Sequence, residues 1–417
     1  MKELSCCRVL FCLTFWPGIG IAQTSLWEEH CKAGDELRQQ GRYAEAERMY
    51  QSALKDVEAF GDRDLRLAQT LNSLALVYKE QGKYGDAALI YQRSLIIVEN
   101  ALGPDHLEVS RLLNNLAELF RIQGRYSEAE ALHLRSLGIR ERVLGPDHLE
   151  VATSLNNLAA LYRDRGMYSL SERLYMRALS NREKALGSEH PDVAGSLNNL
   201  AELYSTEGRY SKAEPLCRRA LTIREMALGP MHPKVATSLN NLAAIHYSLG
   251  HYTEAKRLHQ RALEIRESAL GLEHPDVAAS LNNLATLCHR RGEYKQAELF
   301  YRRALAIWEK VLGPDHPNFA TSLSNLAELY YQWGHYKDAE PLLRQSVTIK
   351  EKVLGPDHPS LAYTLKSYAL VLRKMKQRSE AAALEARAET ILTKCTPHCR
   401  TADTTDVQAL RSIQKDR

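Results

Sequence analysis

The chain has 417 residues, with 55 Lys and Arg against 51 Asp and Glu for a formal charge of +4. That balance, with 44% hydrophobic and 25% charged residues, is the composition of a folded water-soluble protein, not of a disordered, collagenous or multi-span membrane chain. There is neither the cationic excess nor the basic patch that nucleic-acid binding requires, so nucleic acid is excluded as a partner.

Residues 1–22 differ in character from the remainder of the chain. Lys2 and Arg8 give a weakly basic start, an apolar run spans residues 9–16, and Gly20-Ile21-Ala22 precedes Gln23. The run is too short to cross a bilayer, and small residues at −3 and −1 suit signal peptidase. The segment therefore reads as a secretory signal cleaved after Ala22. The competing reading is an uncleaved leader or a misplaced start. Cleavage makes the protein periplasmic or secreted, with no membrane insertion afterwards; without cleavage it is cytoplasmic. Cys6, Cys7 and Cys12 fall in this segment, leaving Cys31, Cys217, Cys288, Cys395 and Cys399 with no CxxC pairing.

Beyond the leader the chain is periodic. Gly82, Gly124, Gly166, Gly208, Gly250, Gly292 and Gly334 lie 42 residues apart, with Gly41 ahead of them, and each is followed two residues on by a Tyr, from Tyr43 to Tyr336. A fixed period of this size marks a stacked repeat array. Each unit reads as two helices. In residues 192–227, Val193, Leu197, Leu200, Ala201 and Tyr204 recur at steps of three and four and predict an amphipathic helix A. Gly208-Arg209-Tyr210 makes a turn, and Ala213, Leu216, Ala220 and Ile223 predict helix B. Gly229 is expected to end helix B in the left-handed conformation, and His232-Pro233 to open the next helix with Pro in its first turn.

Nine such pairs fit, near residues 26–60, 66–101, 108–143, 150–185, 192–227, 234–269, 276–311, 318–353 and 360–393, making 23–393 one continuous array. The ends are atypical, as capping units are: Cys31 and Lys32 replace an Asn pair in the first, and Lys376 and Arg378 replace the turn Gly and Tyr in the last. Residues 394–417 are polar and Thr-rich and read as a disordered tail. Within it, Cys395 and Cys399 read as a loop or a small disulfide. A zinc site there would use these two cysteines and His398 and would lack a fourth ligand.

The spacing Leu-x3-Ala-x2-Tyr-x3-Gly-x-Tyr-x2-Ala, complete in Leu197, Ala201, Tyr204, Gly208, Tyr210 and Ala213 with the small Ala220 seven further on, resembles the tetratricopeptide repeat. The 42-residue period, with Leu-Asn-Asn-Leu-Ala, Arg-Ala-Leu-x-Ile-Arg-Glu and Leu-Gly-Pro-Asp-His-Pro, is similar to the kinesin-light-chain subtype. The resemblance implies an all-α, right-handed superhelical solenoid of about nine helix-turn-helix repeats. It does not extend to a motor role, because a signal-like leader stands where kinesin light chains have a heptad coiled coil. No GxxxxGK[ST], nucleophile elbow or HExxH occurs, so nothing supports an enzyme or a cofactor.

The candidate site is the concave face formed by the A helices. Asn is a poor residue for a helix interior, so its recurrence needs a reason. Asn115, Asn157, Asn199, Asn241, Asn283 and Asn325 hold the second position of the pair, and Asn114, Asn156, Asn198, Asn240 and Asn282 the first. A carboxamide both donates and accepts, so a row of them can pair with the backbone of an extended peptide without reading its sequence. Related groove-binding tetratricopeptide proteins use second-position asparagines in this way. The alternative is that these residues bond to adjacent helices and hold the stack together. Arg111, Glu118, Arg121, Arg163, Asp164, Glu202, His289, Arg290 and Glu328 are the variable groove positions that would confer specificity. The linker histidines His106, His148, His190, His232, His274, His316 and His358 lie one per repeat, too dispersed to share a metal, and are expected to cap helices. The function implied is a protein- or peptide-binding scaffold, with a self-associating architectural protein as the alternative.

Overall fold

The computed structural model of the protein describes residues 20–58, 61 and 63–394. The apolar run of the expected leader, the Cys395/Cys399 pair and the expected tail beyond Lys394, which ends the last helix, lie outside them. The described residues form 18 α-helices and no strand: α1 Gly20–Gln39, α2 Tyr43–Glu58, α3 Leu65–Glu80, α4 Tyr84–Leu102, α5 Leu107–Ile122, α6 Tyr126–Leu144, α7 Leu149–Asp164, α8 Tyr168–Leu186, α9 Pro191–Thr206, α10 Tyr210–Leu228, α11 Pro233–Ser248, α12 Tyr252–Leu270, α13 Pro275–Arg290, α14 Tyr294–Leu312, α15 Pro317–Trp333, α16 Tyr336–Leu354, α17 Pro359–Lys374 and α18 Arg378–Lys394. Odd-numbered helices are the A helices and even-numbered ones the B helices. Helix α1 begins at Gly20, ahead of the expected start near 26, so the small-residue motif at 20–22 lies within its first turn.

Local chemistry fixes both ends of each helix A from α3 to α17. The linker histidine sits in extended backbone just before it, and its Nδ1 accepts the N–H two residues on, as His232 does from Lys234 at 3.1 Å. Asp64 does the same for α3, accepting from the Arg66 N–H. This satisfies one of the orphan donors at a helix start. In α9, α11, α13, α15 and α17 a Pro follows at the first helical position, where its fixed φ and missing N–H cost nothing. At the far end, Gly82 takes φ +74°, and the bonds Lys83 N–H to Tyr78 O at 2.8 Å and Gly82 N–H to Lys79 O at 3.0 Å close a Schellman turn. Helix B ends differently from expectation. Gly229 has φ +85° but ψ 155°, outside the left-handed helical well and in a region that essentially only Gly enters. The chain leaves helix B extended rather than curling back.

Packing obeys the period. Ala213 and Ala220 are fully buried where α9 and α10 cross, and Val193, Leu197 and Leu203 of α9 are equally buried. Burying one such Leu stabilises by roughly 1.5–3 kcal/mol. Tyr50, Tyr91, Tyr175 and Tyr301 are the largest fully buried side chains, and Cys217 and Cys288 occupy the equivalent depth as small apolar fillers.

The array also touches itself at long range. A Cβ on Gly41 or Gly82 would come within 2.8 Å of the Cδ of Pro275 or Pro317. The His316 Nε2 lies 3.1 Å from Glu80 O, and the His358 Nε2 lies 3.2 Å from Ile122 O. Val353 and Leu354 pack against the apolar cluster built from α3 to α8. The turn edges of the first three helix pairs thus meet the linker edges of the seventh, eighth and ninth, and six pairs complete one coil.

Lys376 replaces the turn glycine in the last repeat and is the sole non-Gly residue with positive φ among those described, at +67°. It keeps the turn bonds, Lys376 N–H to Arg373 O and Gln377 N–H to Leu372 O, at the steric cost of a Cβ in the left-handed region. Lys376→Gly is expected to raise stability by up to about 1 kcal/mol, read as a higher urea midpoint at unchanged slope. A lower midpoint would show that the lysine side chain, rather than the backbone, governs this turn.

Candidate peptide-binding groove

The A helices line the inner face of the coil, and the two asparagine positions separate there. The first is structural. Asn114, Asn156, Asn198 and Asn240 are only 4–8% exposed. Asn156, Asn198 and Asn240 each donate to a serine of the next A helix, at 3.5 Å to Ser196, 3.1 Å to Ser238 and 3.3 Å to Ser280. The Oδ1 of Asn114 and of Asn240 accepts from His133 and His259 at 3.1 and 2.8 Å. In the fourth and fifth repeats Tyr175 and Cys217 stand at the histidine position, and the buried Oδ1 atoms of Asn156 and Asn198 have no protein donor.

The second position lies half-buried on the inner face. Asn115 donates to Asn72 at 2.9 Å and Asn325 to Asn282 at 3.2 Å, so toward both ends of the array these carboxamides join neighbouring repeats. Among the described residues, Asn157, Asn199, Asn241 and Asn283 have no such bond. Asn157, Asn199 and Asn241 border a single cavity of about 710 Å³ along α7, α9 and α11, together with Arg182, Arg224 and Gly195. Gly195 stands where the neighbouring repeats carry Thr153 and Thr237, and its missing side chain leaves room beside the Arg224 guanidinium.

The variable positions are already paired with one another. Arg121 bonds Glu118 at 2.7 Å and also Asp164 of the next repeat, while Arg163 bonds Asp164 at 3.0 Å and Glu202 at 2.8 Å. Burial alone would raise the Glu118 carboxyl, but the Arg121 hydrogen bond and charge hold it below the usual carboxylate range. Arg290 donates to the Tyr247 hydroxyl at 2.7 Å, Arg111 pairs with Glu108 at 2.9 Å, and Gln332 donates to Glu328 at 3.5 Å. His289 is buried, and burial pushes its imidazole down to about 4. The groove therefore presents internally compensated charge.

A row of buried cations runs beneath it. Arg140, Arg182, Arg224 and Arg266 recur at 42 residues on the B helices and reach the hydroxyls of Ser154, Ser196, Ser238 and Ser280. Arg224 and Arg266 also donate to the Lys234 and Asp276 carbonyls at 3.0 and 2.9 Å, tying each B helix to the first turn of the next A helix. Burial lowers all four guanidinium pKa values. Lys350 repeats the contact to Thr364 at 2.8 Å. In the seventh repeat Trp308 takes the place of the arginine, and both its Nε1 and the Ser322 hydroxyl are buried without partners.

The tetratricopeptide repeat pattern matches residues 29–97, 90–141, 108–184, 150–226, 192–268, 234–310, 276–352 and 336–394. The chain belongs to the tetratricopeptide repeat family. Among solved structures it is similar to a putative kinesin light chain with nearly identical TPR-like repeats from Podosopora anserina, at 30% identity over 49% of this chain and 97% of that one, with a TM-score of 0.43. It is also similar to BtubC (BKLC) from P. vanneervenii, at 24% identity over 56% of this chain and 92% of that one, with a TM-score of 0.44. A Rap protein complexed with Competence and Sporulation Factor aligns over 90% of this chain and 99% of its own at 16% identity and a TM-score of 0.52, a likeness of fold alone. No curated protein sequence matches significantly.

Sequence reasoning on these tetratricopeptide repeats located the asparagines and the caps but passed over the arginine row. The signal was present as Arg at a fixed 42-residue spacing on helix B, always 14 residues before a serine of the next helix A. The orphaned Ser322 gives a paired test. Ser238→Ala leaves Arg224 short of an acceptor and is expected to cost about 1–3 kcal/mol, whereas Ser322→Ala removes an unpaired buried hydroxyl and is expected to be neutral or stabilising. Equal losses in urea denaturation would contradict this assignment.

Burial also pushes His133 and His259 down to about 4. A depressed folded-state pKa means the unfolded chain binds the proton first. Stability is complete above the ordinary histidine value near 6.5 and falls as pH drops toward 4, by up to about 1.4 kcal/mol per pH unit for each such imidazole. The urea midpoint should decline between pH 7 and pH 5, and less steeply in His259→Asn. A midpoint flat across that range would rule the mechanism out.

Proposed function

We propose that the inner face of the array binds extended segments of protein partners, and that the protein is a non-enzymatic interaction scaffold. The observation that carries this reading is the set of unpaired carboxamides on Asn157, Asn199 and Asn241 around one cavity, with the orphan acceptors of Asn156 and Asn198 at its margin. An extended backbone exposes N–H and C=O groups at regular intervals, and each carboxamide offers the complement of both. The Rap structure, similar in fold, holds Competence and Sporulation Factor, which supports a ligand-binding role for such an array. Each net bond contributes roughly 0.5–1.5 kcal/mol, and ordering the segment opposes them, so affinities in the micromolar range are expected.

Toward the two ends of the array Asn115 and Asn325 bond within the stack, which favours a purely architectural role for those two positions. The proposed contact set is accordingly centred on Asn157, Asn199 and Asn241, with Asn283 beside them. Partners would be exported proteins if the leader is a cleaved signal.

The triple variant Asn157→Ala, Asn199→Ala, Asn241→Ala is expected to keep its helical circular dichroism and lose the proteins captured by the wild type, by at least tenfold in yield. Retained capture together with a lower melting temperature would transfer these residues to the architectural role and overturn the proposal.

A further inference from the structure

The ribbon of helix pairs has two edges, one made of the A–B turns and one made of the B–A linkers. Along the first three repeats the turn edge is docked on the linker edge of repeats seven to nine. Gly41 faces His274-Pro275, Gly82 faces His316-Pro317, and Gly124 faces His358. Burial is deepest at Gly41, Gly82 and His316. Gly41 and Gly82 are buried, while Gly208, Gly250, Gly292 and Gly334, with nothing facing them, are exposed. His316 is buried to 6% exposure, whereas His106 and His148 on the undocked linkers are exposed.

The bonding at this seam is specific. The His316 Nδ1 accepts from the Asn318 N–H at 3.0 Å, so its Nε2 carries the proton and donates to Glu80 O at 3.1 Å. His358 does likewise with Ser360 and Ile122. Glu80 and Ile122 end α3 and α5, so each seam histidine caps the start of its own helix and the orphan carbonyl end of a helix one coil away.

Because the seam lies edge to edge, the A helices run along the coil axis and six of them form a closed wall. Six helices at 8–10 Å spacing span a circumference of roughly 50–60 Å, a diameter of about 16–19 Å, and subtracting half of a 10–12 Å helix diameter on each side leaves a bore under about 10 Å across. Over one 16-residue helix, about 24 Å long, that bore encloses on the order of 1000 Å³, the scale of the cavity of about 710 Å³ bordered by Asn157, Asn199 and Asn241. A single extended chain fits such a bore, with about 4.8 Å between strands and 10 Å between faces, whereas an α-helix or a hairpin does not.

We infer that the groove is a ring closed by this seam and entered from its ends, so that its partner is an extended segment with a free chain terminus. An internal loop of a folded protein cannot reach the asparagines while the seam is shut. This inference rests on the peptide-binding role of the groove, and the test separates the two. Random 15-residue segments are displayed with one free end, and the same segments are displayed as linkers between two folded domains. The wild type is expected to enrich binders from the first library only. A binder so obtained is expected to lose at least tenfold in affinity when a folded domain is fused to its free end.

His274→Asp, His316→Asp and His358→Asp combined keep the helix caps, as Asp64 does for α3, but place carboxylates against the seam carbonyls. This variant is expected to show a larger hydrodynamic radius and to bind the doubly blocked segment within about threefold of the free one. Equal enrichment from both libraries by the wild type overturns the ring and leaves the groove reading standing. Enrichment from neither overturns both. A variant that expands yet still rejects the blocked segment overturns the ring as well.

Discussion

The angle at which one helix pair passes the chain to the next governs everything else in this molecule, and a short polar linker sets it. Helix B ends on a glycine in an extended, positive-φ conformation, and three residues later a histidine accepts the N–H two positions into the new helix. Both groups are conformationally exacting. The glycine backbone is closed to other residues, and the imidazole must sit in extended backbone to reach its donor. Because the linker repeats with little variation, so does the rotation from pair to pair, and a constant rotation is what allows the seventh pair to arrive on the first. A coil assembled from variable linkers would have no reason to close.

That closure changes the energetics expected of a solenoid. Repeat arrays are ordinarily sums of local stabilities and nearest-neighbour interfaces. The bonds from His316 to Glu80 and from His358 to Ile122 join residues 236 apart, so the first three and last three repeats gain from each other's folding, and the central repeats are held between them. The cavity lies in that central stretch, along α7, α9 and α11. The repeats that contribute the unpaired asparagines are therefore kept in place partly by contacts they do not make themselves.

The fold was legible in the sequence because a repeat multiplies its own signal. One Gly-x-Tyr is weak evidence for a turn, whereas seven at a constant spacing, with an eighth one residue closer, leave few alternatives. The capping histidines were legible for the same reason, since each precedes a helix start. What periodicity cannot reveal is any property that depends on accumulated geometry. The seam needs His316 to be near Glu80, and no feature of either residue distinguishes them from their equivalents His148 and Asp164, which stand apart. Family resemblance alone separates the two asparagine positions in the sequence, because both lie on helix A. Only the structure shows that one step around the helix moves the side chain from the stack to the bore. Gly229 departs from the left-handed cap expected of it because sequence identifies the need for positive φ and says nothing of ψ.

The buried polar rows explain why the asparagines at the groove are available at all. Arg224 with Ser238, and Asn198 with the same serine, already fix the register between adjacent repeats at the depth of the stack. Buried hydrogen bonds of this kind specify one packing against its neighbours, since a slipped arrangement would strand each partner, even though the Arg224 Nε and the Asn198 Oδ1 have no protein partner. With register secured below, the inner-face carboxamide of the central repeats is released from structural duty. The ends differ in the way this division implies. Neither the Asn72 nor the Asn282 level has a buried arginine beneath it, because Val98 and Trp308 stand at the equivalent helix-B positions. At those levels Asn115 and Asn325 are drawn into the stack instead. Where the arginine row is intact, the asparagines face the bore unpaired; where it lapses, they are spent on holding repeats together.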